Sequence, residues 1–129
     1  MNHPESKEQI KVVTWLKYQY SKALFTASVQ EHAGGKFAFS NIQKAARRKR
    51  MGYRAGTPDI AIYEPKGVKH GLFVEMKAVT GGVVSPDQKA FLAELESRGY
   101  ATLVCHGFEE AQKGITEYLR EENTNGTGK

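Results

Sequence analysis

The chain has 129 residues, enough to enclose one sizeable core and too few for two. Its 19 Lys and Arg outnumber 14 Asp and Glu, giving a formal charge of +5 that suits an anionic partner without naming one. The single Cys105 excludes an internal disulfide, no apolar run approaches a membrane span, and the polar, acid-containing N-terminus lacks a secretory core. These features lead us to expect one domain over residues 5–120, cytoplasmic and without a membrane partner, and a polar, flexible tail over 121–129.

From Pro4 to about Leu24, Ile10, Val13, Leu16, Lys17 and Tyr20 recur at helical spacing, and Val12, Trp15 and Gln19 widen the covered face. Pro4 and Glu5 suit the first turn. Glu8 stands one turn before Val12, at the edge of the buried stripe, where it fits either a solvated acid or a catalytic one. Phe25 to Glu31 reads as a strand, Ala33-Gly34-Gly35-Lys36 breaks the pattern, and Phe37 and Phe39 fit a second strand or an anchored loop. Ser40 or Asn41 is expected to cap a helix that begins near Ile42 and stops at Gly52. On it Lys44 and Arg48 share a face, and Arg47 and Arg54 extend a neighbouring surface, a patch suited equally to phosphates and to plain solvation.

Two strands follow, Gly56-Thr57-Pro58-Asp59-Ile60-Ala61-Ile62-Tyr63 and Gly71 to Val79, joined by a polar segment that Pro65 and Gly67 punctuate as an antiparallel hairpin. Alternation sends Phe73, Glu75 and Lys77 to one face and Leu72, Val74 and Met76 to the other. Ser85-Pro86-Asp87 opens an amphipathic helix running through Gln88 to Arg98, with Ala90, Phe91, Leu92 and Leu95 on its buried side and Gly99 at its end. Tyr100 to Cys105 reads as an interior strand with a buried, reduced thiol, and Ala111 to Arg120 as the last helix, around Ile115, Tyr118 and Leu119. The pattern predicts an α/β fold that buries its apolar faces around one small mixed sheet flanked by helices.

The chemistry concentrates in Asp59, Glu75 and Lys77. If the hairpin register sets the two acids opposite each other, their Cα atoms lie roughly 5 Å apart. Carboxylates that close repel and gain proton affinity unless a cation compensates them, and Mg²⁺ or Mn²⁺ prefers such oxygen ligands. Lys77 beside them suits positioning a water or stabilising charge on phosphate oxygens, and the chemistry calls for no organic cofactor. A cross-strand ion pair protecting an exposed sheet edge explains the same three residues without any reaction. His32, His70 and His106 form no ligand pattern, and Tyr53 and Tyr63 are read as packing around the strands.

Taken together, Gly56-Thr57-Pro58-Asp59-Ile60, Glu75-Met76-Lys77, Ser85-Pro86-Asp87-Gln88, the acid Glu8 and the basic stretch before Arg54 resemble the VRR-NUC group of the PD-(D/E)XK nuclease superfamily, over Glu8 through Gly107. The resemblance implies a restriction-endonuclease-like three-layer core in a single VRR-NUC-like domain. It implies a divalent cation, Mg²⁺ or Mn²⁺, held by Asp59, Glu75 and the main-chain oxygen of Met76. It gives Lys77 a catalytic role, Gln88 the ordering of that neighbourhood, and Glu8 the orientation of a metal-bound water or support of a second cation. The similarity to stand-alone phage or bacterial members implies a homodimeric, structure-selective DNA endonuclease that acts on branched DNA, including four-way junctions, in the bacterial host cytoplasm if phage-encoded. A non-catalytic nucleic-acid-binding module and a structural or protein-interaction module are the competing readings.

Overall fold

The computed structural model describes residues 4–28 and 38–120. Helix α1 spans Pro4–Gln19 and opens on a proline, which has no N–H to leave unpaired in the first turn. It buries Val12 and Leu16, one turn apart, while Trp15 lies edge-on to Tyr20 at 5.5 Å and to Phe108 at 6.1 Å. The helix stops at Gln19 instead of continuing to Leu24, because the Leu24 N–H is taken by the Glu64 carboxylate at 2.9 Å, which draws the chain toward the sheet.

Four strands form that sheet: β1 (Phe25–Ala27), β2 (Ile60–Ile62), β3 (Leu72–Lys77) and β4 (Ala101–His106), side by side in chain order. The first two pairings are antiparallel, with Ala27 opposite Ile60 and Ile60 opposite Val74. The expected hairpin joins β2 to β3, its turn closed by reciprocal bonds between Lys66 and Lys69. The last pairing, β3 with β4, is parallel from Leu72↔Ala101 to Lys77↔His106, and helix α3 (Pro86–Ser97) makes the crossover that parallel strands require.

The strand alternation read from the sequence separates the layers. Leu72, Val74 and Met76 are buried with Ile60 and Ile62 against Val12 and Leu16 of α1 and Ala111 and Ile115 of helix α4 (Phe108–Arg120). Each fully buried Leu or Ile there stabilises the fold by roughly 1.5–3 kcal/mol. Cys105 belongs to this core, and burial pushes its thiol up to about 11. On the opposite face Phe73 meets Tyr100 edge-on at 5.4 Å, and Glu75 is bonded to Gln88 of α3. Helices α1 and α4, the sheet and α3 therefore make three layers, a restriction-endonuclease-like α/β core.

Helix α2 (Ala38–Arg50) lies apart, since among the described residues it makes no extensive contact with another helix or strand. It begins at Ala38, so Ser40 and Asn41 lie inside the helix instead of capping it, and Phe39 is helical where a strand or loop was expected. A projecting helix has no core to fix its start, so the local cap residues did not mark it. The first strand extends only to Ala27, and Phe37, His32, residues 29–31 and the tail fall outside the described residues. Helix α4 starts at Phe108, ahead of the expected Ala111, because the Glu8 carboxylate accepts the Phe108 N–H at 2.7 Å and satisfies its first turn.

Candidate active site

At the C-terminal end of β3 the chain leaves a cleft of about 400 Å³ between the first turns of α1 and α3. The observed register, continued one step beyond Ile60↔Val74, sets Asp59 opposite Glu75. Their side chains therefore leave on the same face. Asp59 is anchored twice: its carbonyl accepts the Ser28 N–H at 2.7 Å, and its Oδ2 accepts the Met76 N–H at 2.7 Å. Gly56, just upstream, has φ +88° and lies so close to α3 that a Cβ there would approach the Asp87 carbonyl oxygen to 2.4 Å. Only glycine allows the Thr57-Pro58-Asp59 approach to lie against that helix.

Gln88 joins the elements. Its Oε1 accepts the Ser85 N–H at 2.9 Å while the Ser85 hydroxyl accepts the Gln88 N–H at 3.2 Å, a reciprocal cap at the start of α3. The same Oε1 accepts from Lys77 Nζ at 2.7 Å, and Nε2 donates to Glu75 Oε2 at 2.8 Å. Three partners of defined polarity fix the amide's orientation. Lys77 Nζ also lies 3.5 Å from Glu75 Oε2.

Electrostatically the site is loaded. Asp59 and Glu75 are 6% and 3% exposed, and among the described residues Glu75 Oε1 is the buried side-chain polar atom without a hydrogen-bond partner. Burial first and the Asp59 charge second raise Glu75 to about 8, against the pull of Lys77. Burial also raises Asp59, opposed by the Met76 N–H and the Lys77 charge and reinforced by the charge of Glu5. An unpaired buried acceptor costs about 1–3 kcal/mol, so the pair favours a proton or a cation.

Of the residues expected at this site, Asp59, Glu75, Met76, Lys77 and Gln88 line the cleft together. Glu8 is placed elsewhere: its carboxylate is held by the Phe108 N–H and by Lys11 Nζ at 3.0 Å, interactions that lower its proton affinity. The α1 acid that lines the cleft is Glu5, whose sequence position indicates only a first-turn residue. A signal was present, because Glu5 precedes the buried Val12 by seven positions, which aligns them within about 20° on a helix. His106 binds the Ala78 carbonyl through Nδ1 at 3.1 Å and His70 lies edge-on to Tyr100, both packing roles. Lys44, Arg47 and Arg48 are exposed on α2, with the Arg48 guanidinium 5.9 Å above the Tyr53 ring. Arg54 instead lies 5.1 Å above the Phe91 ring of α3.

A mixed sheet with a hairpin acid, a Glu-x-Lys strand end and a helix-borne amide, all at one edge between helical layers, defines the class of restriction-endonuclease-like domains. The chain belongs to the VRR-NUC domain family, whose profile matches residues 3–109. It is similar to a solved structure described as a "VRR_NUC domain protein", with a TM-score of 0.79, 27% sequence identity, and coverage of 100% of this chain and 98% of that one. No curated protein matches the sequence. The membership is consistent with the PD-(D/E)XK-related nuclease superfamily and supports a nuclease-like role. Among the described residues no group of three or more His, Cys, Asp or Glu side chains is gathered closely enough to hold a metal, although Glu5, Asp59 and Glu75 all line the cleft.

Proposed function

We propose that the protein is a divalent-metal-dependent, structure-selective DNA endonuclease that hydrolyses phosphodiester bonds in branched DNA, including four-way junctions, and works as a homodimer. The observation that carries this reading is the buried Asp59–Glu75 pair, tied through Gln88 to Lys77 at the floor of an open cleft. The donor set fits a hard dication: two crowded carboxylates of raised proton affinity, one with an unpartnered oxygen. Asp59, Glu75 and the Met76 carbonyl would hold Mg²⁺ or Mn²⁺, which when bound would polarise the phosphodiester and acidify a water. No organic cofactor is required.

The chain's own residues supply the rest. Lys77, its ammonium fixed by Gln88 Oε1 and Glu75, stabilises charge developing on the phosphate oxygens or orients the attacking water. Gln88 keeps Lys77 and Glu75 in register with each other. Glu5 takes the water-orienting role first expected of Glu8. Lys44, Arg47 and Arg48 on α2 bind the DNA backbone, and Arg54 extends that surface along α3.

A non-catalytic nucleic-acid binder is favoured by one observation, the lack of a third metal-ligating side chain among the described residues. The two readings separate on Asp59→Ala and Glu75→Ala proteins assayed with Mg²⁺ or Mn²⁺ on duplex, flap and four-way DNA. The nuclease reading expects cleavage to fall at least about a hundredfold with folding and DNA affinity kept. A folded, metal-loaded parent protein that cuts none of these substrates leaves the binder standing. Failure to bind DNA even at low salt points to a structural or protein-interaction module.

A further inference from the structure

The connection from β3 to α3 forms one wall of the cleft, and both its ends are tied to site residues. Near its middle Gly82 lies so close to the site that a Cβ there would approach the Lys77 Cβ to 2.8 Å. At its end the Ser85 N–H is bonded to the Gln88 oxygen that also receives Lys77. Between them stands Val83, which lines the cleft beside Lys77 and Gly82 yet remains 78% exposed.

Single exposed apolar side chains are ordinary on protein surfaces, so exposure alone assigns Val83 nothing. Its position does more. A phosphodiester that reaches Lys77 Nζ brings its own sugar and base against the walls of the cleft. Valine offers no hydrogen bond to a phosphate or to a base edge, so what it can contribute is packing against a deoxyribose or the face of a nucleobase. In continuous duplex the base faces are covered by their neighbours, whereas at a flap or branch point a face is open, and apolar and aromatic contacts recognise it with little regard to sequence.

We infer that Val83 packs on the unstacked nucleobase beside the scissile phosphate and so supplies part of the selectivity for interrupted DNA. The inference rests on the nuclease reading and adds to it a residue that discriminates between substrates. Val79, the other exposed valine of this connection, provides an internal control. Its side chain does not line the cleft and lies against Gly107, where a Cβ would approach its Cγ2 to 2.8 Å.

The test compares the full chain with its Val83→Ala, Val83→Ile and Val79→Ala variants in single-turnover cleavage with Mg²⁺ or Mn²⁺. Two substrates share one sequence, a continuous duplex and the same duplex carrying a flap, with 2-aminopurine beside the cut site. Loss of two methyl groups from a packed contact should slow flap cleavage by Val83→Ala about fivefold and leave duplex cleavage within about twofold. Val83→Ile and Val79→Ala should keep the parental ratio. In Ca²⁺, used to hold uncleaved DNA, the 2-aminopurine fluorescence rise on binding should be smaller for Val83→Ala. Equal losses on both substrates, or no loss on either, with the parent protein active, overturn this inference and leave the nuclease reading intact. A parent protein inert on both substrates overturns the two together.

Discussion

Glu5 and Glu8 sit three positions apart on α1 and face different tasks. The Glu8 carboxylate caps α4 through the Phe108 N–H, whereas Glu5 borders the cleft and raises the proton affinity of Asp59. Exchanging each acid for its neutral amide separates the two. Glu8→Gln should cost stability of about 1 kcal/mol, as loss of a helix cap does, with cleavage nearly unchanged well below the melting point. Glu5→Gln should leave melting unchanged and lower the cleavage rate by about tenfold or more, in the range of lost acid–base or water-orienting groups. Thermal melts beside single-turnover rates check both, and a reversed pattern would return the catalytic role to Glu8. Gln88 shows why neighbouring interpretations need not compete: one oxygen closes the cap of α3 and also holds Lys77, so the capping and ordering roles coexist.

Among the elements, α2 differs most from its surroundings. Its last turn carries Arg47, Arg48, Lys49 and Arg50, while Ile42 and Met51 remain largely exposed beside it. Because none of the described side chains of this helix belongs to the core, neutralising Lys44, Arg47 and Arg48 should spare the fold. Replacing Lys44, Arg47 and Arg48 with alanine should weaken DNA binding and reduce the slope of log affinity against log salt by up to about 2.7, if each residue meets one phosphate. Fluorescence anisotropy across a salt series measures this, with circular dichroism as the check on folding. An unchanged slope would locate the DNA interface on another surface. The β2–β3 hairpin and the start of α3 followed their sequence signals, whereas β2 narrowed to Ile60–Ile62 within the expected Gly56–Tyr63. The hairpin lies where Pro65 and Gly67 punctuate the chain, and α3 begins after Ser85 because that residue and Gln88 cap it reciprocally.

For the whole molecule, the acid pair couples folding to pH and, on the proposed function, would couple it to a metal as well. Glu75 is raised from 4.5 to about 8 in the folded protein, and Asp59 is raised as well. The folded state therefore holds protons that the unfolded chain releases, so the stabilising contribution of Glu75 is complete below about pH 4.5 and is lost as pH rises through about 8, and that of Asp59 runs in the same direction. In EDTA the melting temperature should fall from pH 5 to pH 8, and Glu75→Gln should remove most of that fall. Added Mg²⁺ or Mn²⁺ should flatten the profile, because a bound cation replaces the protons. Calorimetric melts across this range provide the measurement, and a flat or rising profile in EDTA would show that the carboxylates are not held in this way.

By itself the sequence determined whatever depends on near neighbours along the chain: the strand alternation that turns Glu75 and Lys77 away from Leu72, Val74 and Met76, the hairpin, and the capped start of α3. It also contained the motifs that mark the family. Tertiary structure decided which acid of α1 meets the cleft, where α4 begins, that the described side chains of α2 lie outside the core, and that Val83 forms part of the cleft wall. Periodicity assigns a residue to a face of its own element, but which faces meet depends on how separate elements dock, and that is fixed by contacts between residues far apart in the chain, such as Glu8 with Phe108.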